Sequence, residues 1–423
     1  MKGRALSVRD LDVSGRRVFV RVDFNVPFKD ARVADDTRIR ASLPTLRSIL
    51  ERGGLPVIAS HLGRPKGKPM PEMSLRPVGD RLATLLGTKV IQAPDCVGSE
   101  VDSLARGLRP GESLVLENLR FHPEEEANDE AFSRRLASPA ERYVNDAFGS
   151  AHRAHASVVG ITRHLPRPAA GLLMEAEIAA LTRLRDRPET PYVAILGGAK
   201  VSDKIDLILN LIDKVTVLLI GGAMAYTFLK ARGVPIGASR SEDDRIDQAR
   251  AILARAASSG VHLELPLDHV VARSPAPGLA WEVTPGPAIG EGWVGLDVGP
   301  RTREAYALAA APARTIFWNG PLGLCEVAPF DEGTRAMARA VAATGGWSVV
   351  GGGDSIAAIN KLGLSSSFSH LSTGGGASLE FLSGVELPGV AALDDAEDAT
   401  DRSRPCEPGS AGGPGGRGGQ GPR

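Results

Sequence analysis

Short β-type runs alternate with stretches of helical character along nearly the whole chain, and this alternation limits the possible folds more than any other feature of the sequence. Strands separated by a helix's length of chain can pair in parallel through crossover helices, so the pattern predicts an α/β protein. The first half offers RVFVRVDFNV (17–26), PVIAS (56–60), SLVLE (113–117) and RYVNDAF (142–148) as strands. The second half offers PYVAIL (191–196), VTVLLI (215–220), LDHVVA (267–272), RTIFW (314–318) and SVV (348–350). At 423 residues the chain exceeds what one core usually organises. The expectation is therefore two lobes, each a mostly parallel, Rossmann-like sheet flanked by helices. No fixed-period repeat relates them. Between them GLLMEAEIAALTRL (171–184) puts Met174, Ile178 and Leu181 on one face, which reads as a long connecting helix. From about residue 394 the chain runs through DDAEDATDRSRP into a Gly-rich stretch, where disorder is expected.

In open α/β sheets ligands bind beyond the carboxyl ends of the strands, so the residues just after each strand carry the functional information. The first-half strands run into Asp23 and Asn25, His61 and Arg64, Arg120 and His122, and His152, Arg153 and His155. Four of the chain's eight histidines and three arginines thus fall at tips gathered along one edge, which predicts an anion site. Arginine grips carboxylate or phosphate through two parallel charge-assisted hydrogen bonds, so several together suit a small, multiply charged metabolite. Arg38 in DDTRIR is either part of this group or a helix-surface charge paired with Asp35 or Asp36. The second-half strands end instead in GGAKVSDK (197–204), GGAM (221–224), NGPLG (319–323), GGGDS (351–355) and TGGGAS (373–378). Glycine lets backbone approach a ligand closely, and a following helix N-terminus offers free N–H groups to phosphate oxygens. Lys200 and Lys204 add mobile cations, and Asp354 is placed to hold magnesium with nucleotide phosphates.

Several classes of function are disfavoured. The 50 basic and 50 acidic side chains balance, which argues against broad nucleic-acid or membrane binding. Three scattered cysteines form no CxxC pair, pointing away from a disulfide framework or zinc site and towards a reducing compartment. No apolar run approaches the roughly 18 to 20 residues of a membrane span, and the N-terminus lacks a signal-peptide pattern, so the expected location is cytoplasmic. There is no GxxxxGK[ST] loop and no HRD or DFG set, so neither a P-loop nor a protein-kinase nucleotide site is present.

The motifs RVDFNVP (21–27), SHLGRP (60–65), LENLRFHPEE (116–125), NDAFGSAHRAHAS (145–157), LGGAKVSDKI (196–205), WNGPLG (318–323), GGGDS (351–355) and STGGGASLEFL (372–382) resemble, in order, those of the phosphoglycerate kinase family. The resemblance spans about residues 5–393. It implies the glycolytic transfer of a phosphoryl group between 1,3-bisphosphoglycerate and ADP, giving 3-phosphoglycerate and ATP, with magnesium, in a monomer. It also implies a phosphoglycerate-binding lobe over 1–170, an interdomain helix over 171–185 and a nucleotide-binding lobe over 186–375. A hinge segment over 376–393 would return to the first lobe, leaving 394–423 as the tail.

By the same resemblance Asp23, Asn25, Arg38, His61, Leu62, Gly63, Arg64, Arg120 and Arg153 bind the phosphoglycerate. Gly198, Ala199, Lys200, Lys204, Gly222 and Asn319 contact the nucleotide, with Glu326 at the ribose. Gly352, Gly353, Asp354 and Ser355 line the phosphate and metal site. Arg38, Lys200 and the N–H groups of Gly374, Gly375 and Gly376 are the catalytic candidates. The attacking group is a carboxylate, already ionised at neutral pH, so no general base is required. Two departures stand out. Cys325 replaces an aromatic residue usual beside Glu326, which bears on the nucleoside pocket, and Ala31 stands where a turn glycine is common.

Overall fold

The computed structural model describes residues 6–401 other than 277 and 279. Its first sheet has six parallel strands in the order Val90–Gln92, Ser113–Val115, Leu55–Ala59, Arg17–Arg21, Arg142–Asn145, Ala169–Ala170. Its second has six more, in the order His262–Glu264, Val217–Ile220, Tyr192–Leu196, Thr315–Asn319, Trp347–Gly351, His370–Leu371. Every pairing within both sheets is parallel, and the expected α/β class holds.

The alternation of side chains explains why both faces of each sheet are covered. Val18 and Val20 enter one buried cluster while Phe19 enters another, and Ile58 opposes Val57 and Ala59 in the same way. In the second sheet Val193 and Ile195 face one cluster, and Tyr192, Ala194 and Leu196 the other. Strands buried on two faces need continuous apolar runs, which is what these segments are. One cluster contains residues of both sheets, and Met174, Leu181 and Leu184 of the connecting helix Leu172–Asp186 belong to it. The helix therefore packs as part of a core shared by the two halves. Its start is fixed by Asp146, whose Oδ1 accepts from Leu173 N at 2.9 Å and Met174 N at 3.3 Å.

Two expectations need correction. The segment at 267–272 forms a strand, His269–Ala272, but in a separate antiparallel sheet with Trp281–Val283 and Val294–Val298. Its connection to Trp281 contains no helix among the described residues, and a chain returning without a crossover pairs antiparallel. The expected tail also begins too early, because the helix Pro388–Asp401 runs past residue 394. Buried Val390, Ala392 and Leu393 anchor its first turns, and a helix nucleated there can propagate through the residues after them. The rest of the expected tail lies outside the described residues. The helix reaches the first half of the chain, where Gly389 N donates to Ala151 O at 2.8 Å. No helix among the described residues is long and apolar enough to cross a membrane.

Candidate active site

The first-half tips converge around a fully buried guanidinium that the motif reading passed over. Arg21, the last residue of its strand, is 1% exposed. Its Nε donates to Ser157 Oγ at 2.8 Å, Nη1 donates to Val22 O, and Nη2 lies 3.2 Å from His61 Nδ1. A guanidinium only donates, so His61 Nδ1 must accept and the ring carries its proton on Nε2. Burial, together with Arg21, Arg120 and Arg38, drives the His61 pKa well below its usual range against the pull of Asp23. His61 is thus a neutral donor. Ser157 in turn gives its N–H and hydroxyl to the buried Glu125, at 2.9 and 2.5 Å.

Asp23 and Arg38 pair at 2.6 Å, so of the two readings open for Arg38 the surface pairing with Asp35 or Asp36 is excluded. Arg40 and Arg81 take Asp36 instead. Burial pushes the Asp23 carboxyl up, but His61, Arg38 and Arg21 outweigh it and leave the pKa below its ordinary value. With His61 neutral, the two arginines carry that effect. Asn25 Oδ1 accepts from Gly63 N at 2.9 Å, and Arg120 Nη1 donates to Gly63 O at 2.7 Å, so both hold the loop after the strand Leu55–Ala59. Asn118 completes that support by bonding both backbone groups of buried Leu62.

Arg153 donates to His152 Nε2 at 3.1 Å, and His155 is driven down to about 3 by burial and by Arg21, Arg120 and Arg153. Arg64 is exposed and makes no hydrogen bond or ion pair among the described residues. His122 leaves the group altogether. Its Nε2 pairs with Asp95 Oδ1 at 2.7 Å, its ring lies against Phe132, and the Asp95 hydrogen bond raises its pKa. Burial, together with the neighbouring Arg153 and Arg21, lowers the Arg120 pKa, and an anion entering here would relieve that repulsion.

The second-half loops are built from backbone. Gly222 has a φ of 65°, and a Cβ there would lie 2.5 Å from Gly198 N. The two loops touch, and only glycine permits it. Their N–H groups are already engaged, Gly198 with Pro321 O at 2.8 Å and Gly222 with Leu322 O at 3.0 Å, so these glycines provide shape and not free donors. Free N–H groups stand instead at the head of the helix Gly353–Lys361, where Asp354 is exposed and has no partner among the described residues. Ser355 is buried, and its hydroxyl is unpaired.

Lys204 is not mobile as expected. It is buried, and its Nζ donates to Asn319 O at 2.8 Å and Asn319 Oδ1 at 2.5 Å. Burial pushes its pKa down to about 8. Lys200 is exposed on the same loop. Glu242 holds that loop by accepting from Val201 N, Ser202 N and Ser202 Oγ at 2.5, 3.0 and 2.6 Å.

A cleft of about 370 Å³ brings together Gly198, Ala199, Gly222, Glu326 and Asp354 with Tyr226, Leu296 and Leu324. Cys325 does not line it. Its thiol donates to Thr334 Oγ1 at 3.3 Å along a neighbouring cleft, so the substitution noted in the sequence leaves this wall to other side chains. Ala31 occupies the turn at a φ of 56°, a left-handed conformation that favours glycine.

The two halves meet at a third cleft of about 160 Å³, lined by Arg38 from one side and by Gly352, Gly353, Thr373 and Gly375 from the other. A Cβ on Gly149 would fall 2.6 Å from Asp23 Oδ2 and 3.4 Å from Thr373 O, which measures how close the two sides come. Of the three candidate donors in the last glycine turn, Gly374 N already donates to Ser372 Oγ at 3.3 Å. Gly375 and Gly376 keep theirs free among the described residues. Glu177 of the connecting helix positions this turn by accepting from Thr373 N at 2.6 Å and Thr373 Oγ1 at 3.0 Å, and from His370 Nε2 at 2.9 Å.

Sequence reasoning missed Arg21, Glu177 and Glu242. Arg21 had a signal, a charge set between Val20 and Val22 in an apolar run. Glu177 had a weaker one, a carboxylate three residues after Met174 on the apolar face of its helix. Glu242 had none.

The phosphoglycerate kinase family profile matches residues 8–385. A phosphoglycerate kinase of Solibacter usitatus is 56% identical over 394 residues, covering 92% of this chain and 99% of the relative. One of Moorella thermoacetica is 53% identical over 390 residues, with the same coverage. Among solved structures, phosphoglycerate kinase from Coxiella burnetii matches at a TM-score of 0.81 and 39% identity, covering 95% of this chain and 100% of that one. The enzyme from Pyrococcus horikoshii OT3 matches at 0.82 and 32%, covering 93% and 99%. With matches over almost its entire length and in three dimensions, the chain belongs to the phosphoglycerate kinase family.

Proposed function

We propose that the two halves of this site act as separate substrate holders and that Arg38 joins them during transfer. The reaction is the family's reversible phosphoryl transfer between 1,3-bisphosphoglycerate and ADP, giving 3-phosphoglycerate and ATP. The carboxylate of 3-phosphoglycerate attacks the terminal phosphorus of ATP, a new O–P bond forms, and the bond to the ADP oxygen breaks. No proton need be removed from the attacking group, in keeping with a neutral His61 that can donate from Nε2 and a low-pKa Asp23 already paired to Arg38. In this reading Asp23, Asn25, His61, Arg64, Arg120 and Arg153 hold the phosphoglycerate, with Leu62 and Gly63 supplying the loop. Gly198, Ala199, Gly222, Lys204, Asn319 and Glu326 hold the nucleotide.

Asp354 fits the family's magnesium ion. It is an unpaired carboxylate beside free N–H groups in the nucleotide cleft, and magnesium takes one or two carboxylates plus phosphate oxygens and water. When bound, the ion neutralises phosphate charge. Arg38, Lys200 and the N–H groups of Gly375 and Gly376 do the same from the protein side, while closure of the two lobes excludes water.

The observation that carries this reading is the single cleft lined by Arg38 and by Gly352, Gly353 and Gly375. Consumption of ATP that depends on added 3-phosphoglycerate tests it; ATP consumption indifferent to that substrate would refute it. The free thiols of Cys96 and Cys325 suit a reducing compartment, and we place the enzyme in the cytoplasm.

A further inference from the structure

Away from the glycine loops, the 370 Å³ cleft changes character. Tyr226, Val294, Leu296 and Leu324 form an apolar wall suited to a flat base. One cation stands beside it. Arg240 lines the cleft, is exposed, and makes no hydrogen bond or ion pair among the described residues. The only other charged side chains lining the cleft among these residues are the carboxylates of Glu326 and Asp354.

Arg240 belongs to a segment tied to the strand at the cleft's apolar side. Ala238 N donates to Trp293 O at 2.8 Å, and Ser239 Oγ accepts from Gly295 N at 2.9 Å. Its backbone is therefore fixed next to Val294 and Leu296, with the guanidinium free to fold over whatever lies on that wall.

We infer that Arg240 contacts the nucleobase and favours 6-oxopurines over adenine, which makes it a specificity-determining residue of this chain. This rests on reading the cleft as the nucleotide site. Guanine and hypoxanthine present two acceptors, O6 and N7, on one edge, and the arginine fork donates to both at once. Adenine places an amino donor where O6 would be, facing a guanidinium that has no acceptor to offer it. The two carboxylates of the cleft cannot replace this contact, because as acceptors they would repel O6 and N7.

The test is steady-state kinetics of the full chain with 3-phosphoglycerate and magnesium complexes of ATP, GTP and ITP, for the wild type and for Arg240→Met and Arg240→Lys. In Arg240→Met the kcat/KM of GTP relative to ATP is expected to fall roughly tenfold or more, and that of ITP to fall with it. Arg240→Lys should recover only part of the loss, since a point ammonium cannot grip two acceptors. Unchanged ratios overturn the inference, whether all three nucleotides weaken together, as for a phosphate contact, or none does. A fall confined to GTP would move the contact to the 2-amino edge and also overturn it. If the wild type shows no turnover dependent on 3-phosphoglycerate with any nucleotide, the reading of the site itself fails first, and this one fails with it.

Discussion

The first-half tips present side chains, and the second-half tips present backbone. Around Arg21 the polar groups are long and mutually bonded, with Asp23 pairing to Arg38, Glu126 to Arg120, and Arg153 donating to His152. Around Gly198 and Gly222 the loops are so close that side chains would not fit, and the one nearby buried cation, Lys204, is fastened to Asn319. The difference suits the two ligands. A small metabolite offers little besides its charges, so recognition depends on forked donors with fixed geometry. A nucleotide offers a long phosphate chain and a base, so a smooth floor, a helix N-terminus and a few charges suffice. The cleft containing Arg38 and Gly375 draws on both kinds of chemistry.

The largest expected effect comes from removing the residue that joins the two halves. Arg38→Ala is expected to lower kcat by about a thousandfold or more, as for other transition-state arginines. Nucleotide affinity, measured by calorimetry, should hardly change. Normal turnover would take Arg38 out of the mechanism, and an equal loss of nucleotide affinity would mean that the halves are not separate holders. Lys200→Ala is the mirror test from the other side and should also act mainly on kcat.

Next in size are substitutions that separate shape from ligand approach in the glycine loops. Gly222→Ala forces a left-handed residue and a Cβ into Gly198, which should cost about 2 to 4 kcal/mol of stability and raise the nucleotide KM. A Cβ at Gly353 meets nothing within 4 Å, so Gly353→Ala should leave thermal stability nearly intact. If a nucleotide phosphate does occupy that space, its KM rises while the phosphoglycerate KM stays put. Unaltered nucleotide kinetics in Gly353→Ala would place the phosphates elsewhere.

The contrast between the two sets of tips could be read from the sequence because it is written locally. Apolar runs define strands, and whatever follows a parallel strand lies at the ligand edge. What the sequence hid was long-range. Nothing near 267–272 says that its partners are Trp281–Val283 and Val294–Val298 and not the parallel sheet. His122 sits two residues from Arg120 yet turns away, because Asp95, twenty-seven positions earlier, captures it. Glu242 acts on a loop about forty residues upstream, and Glu177 on a turn nearly two hundred residues downstream. Burial was also invisible, which is why Lys204 reads as mobile in sequence and is locked in the structure.

That burial supplies the smallest and sharpest prediction. Lys204 titrates at about 8 in the folded protein against an ordinary 10.5, with burial the main cause. Nucleotide phosphates favour its charged form, so binding near pH 8 should take up protons. The nucleotide kcat/KM should fall roughly fourfold from pH 7 to 8.5 as the ammonium is lost. Stability runs the other way, since the unfolded chain binds more protons at this lysine between about 8 and 10.5, and the Lys204 contribution rises across that window. The phosphoglycerate side has no counterpart. His61 and His155 are held below their usual range, so they are already neutral at pH 7, and the arginines do not titrate there. The phosphoglycerate KM should therefore stay level over the same interval. Parallel pH dependence for both substrates would mean that the falling limb belongs to the shared transfer step and not to Lys204 alone.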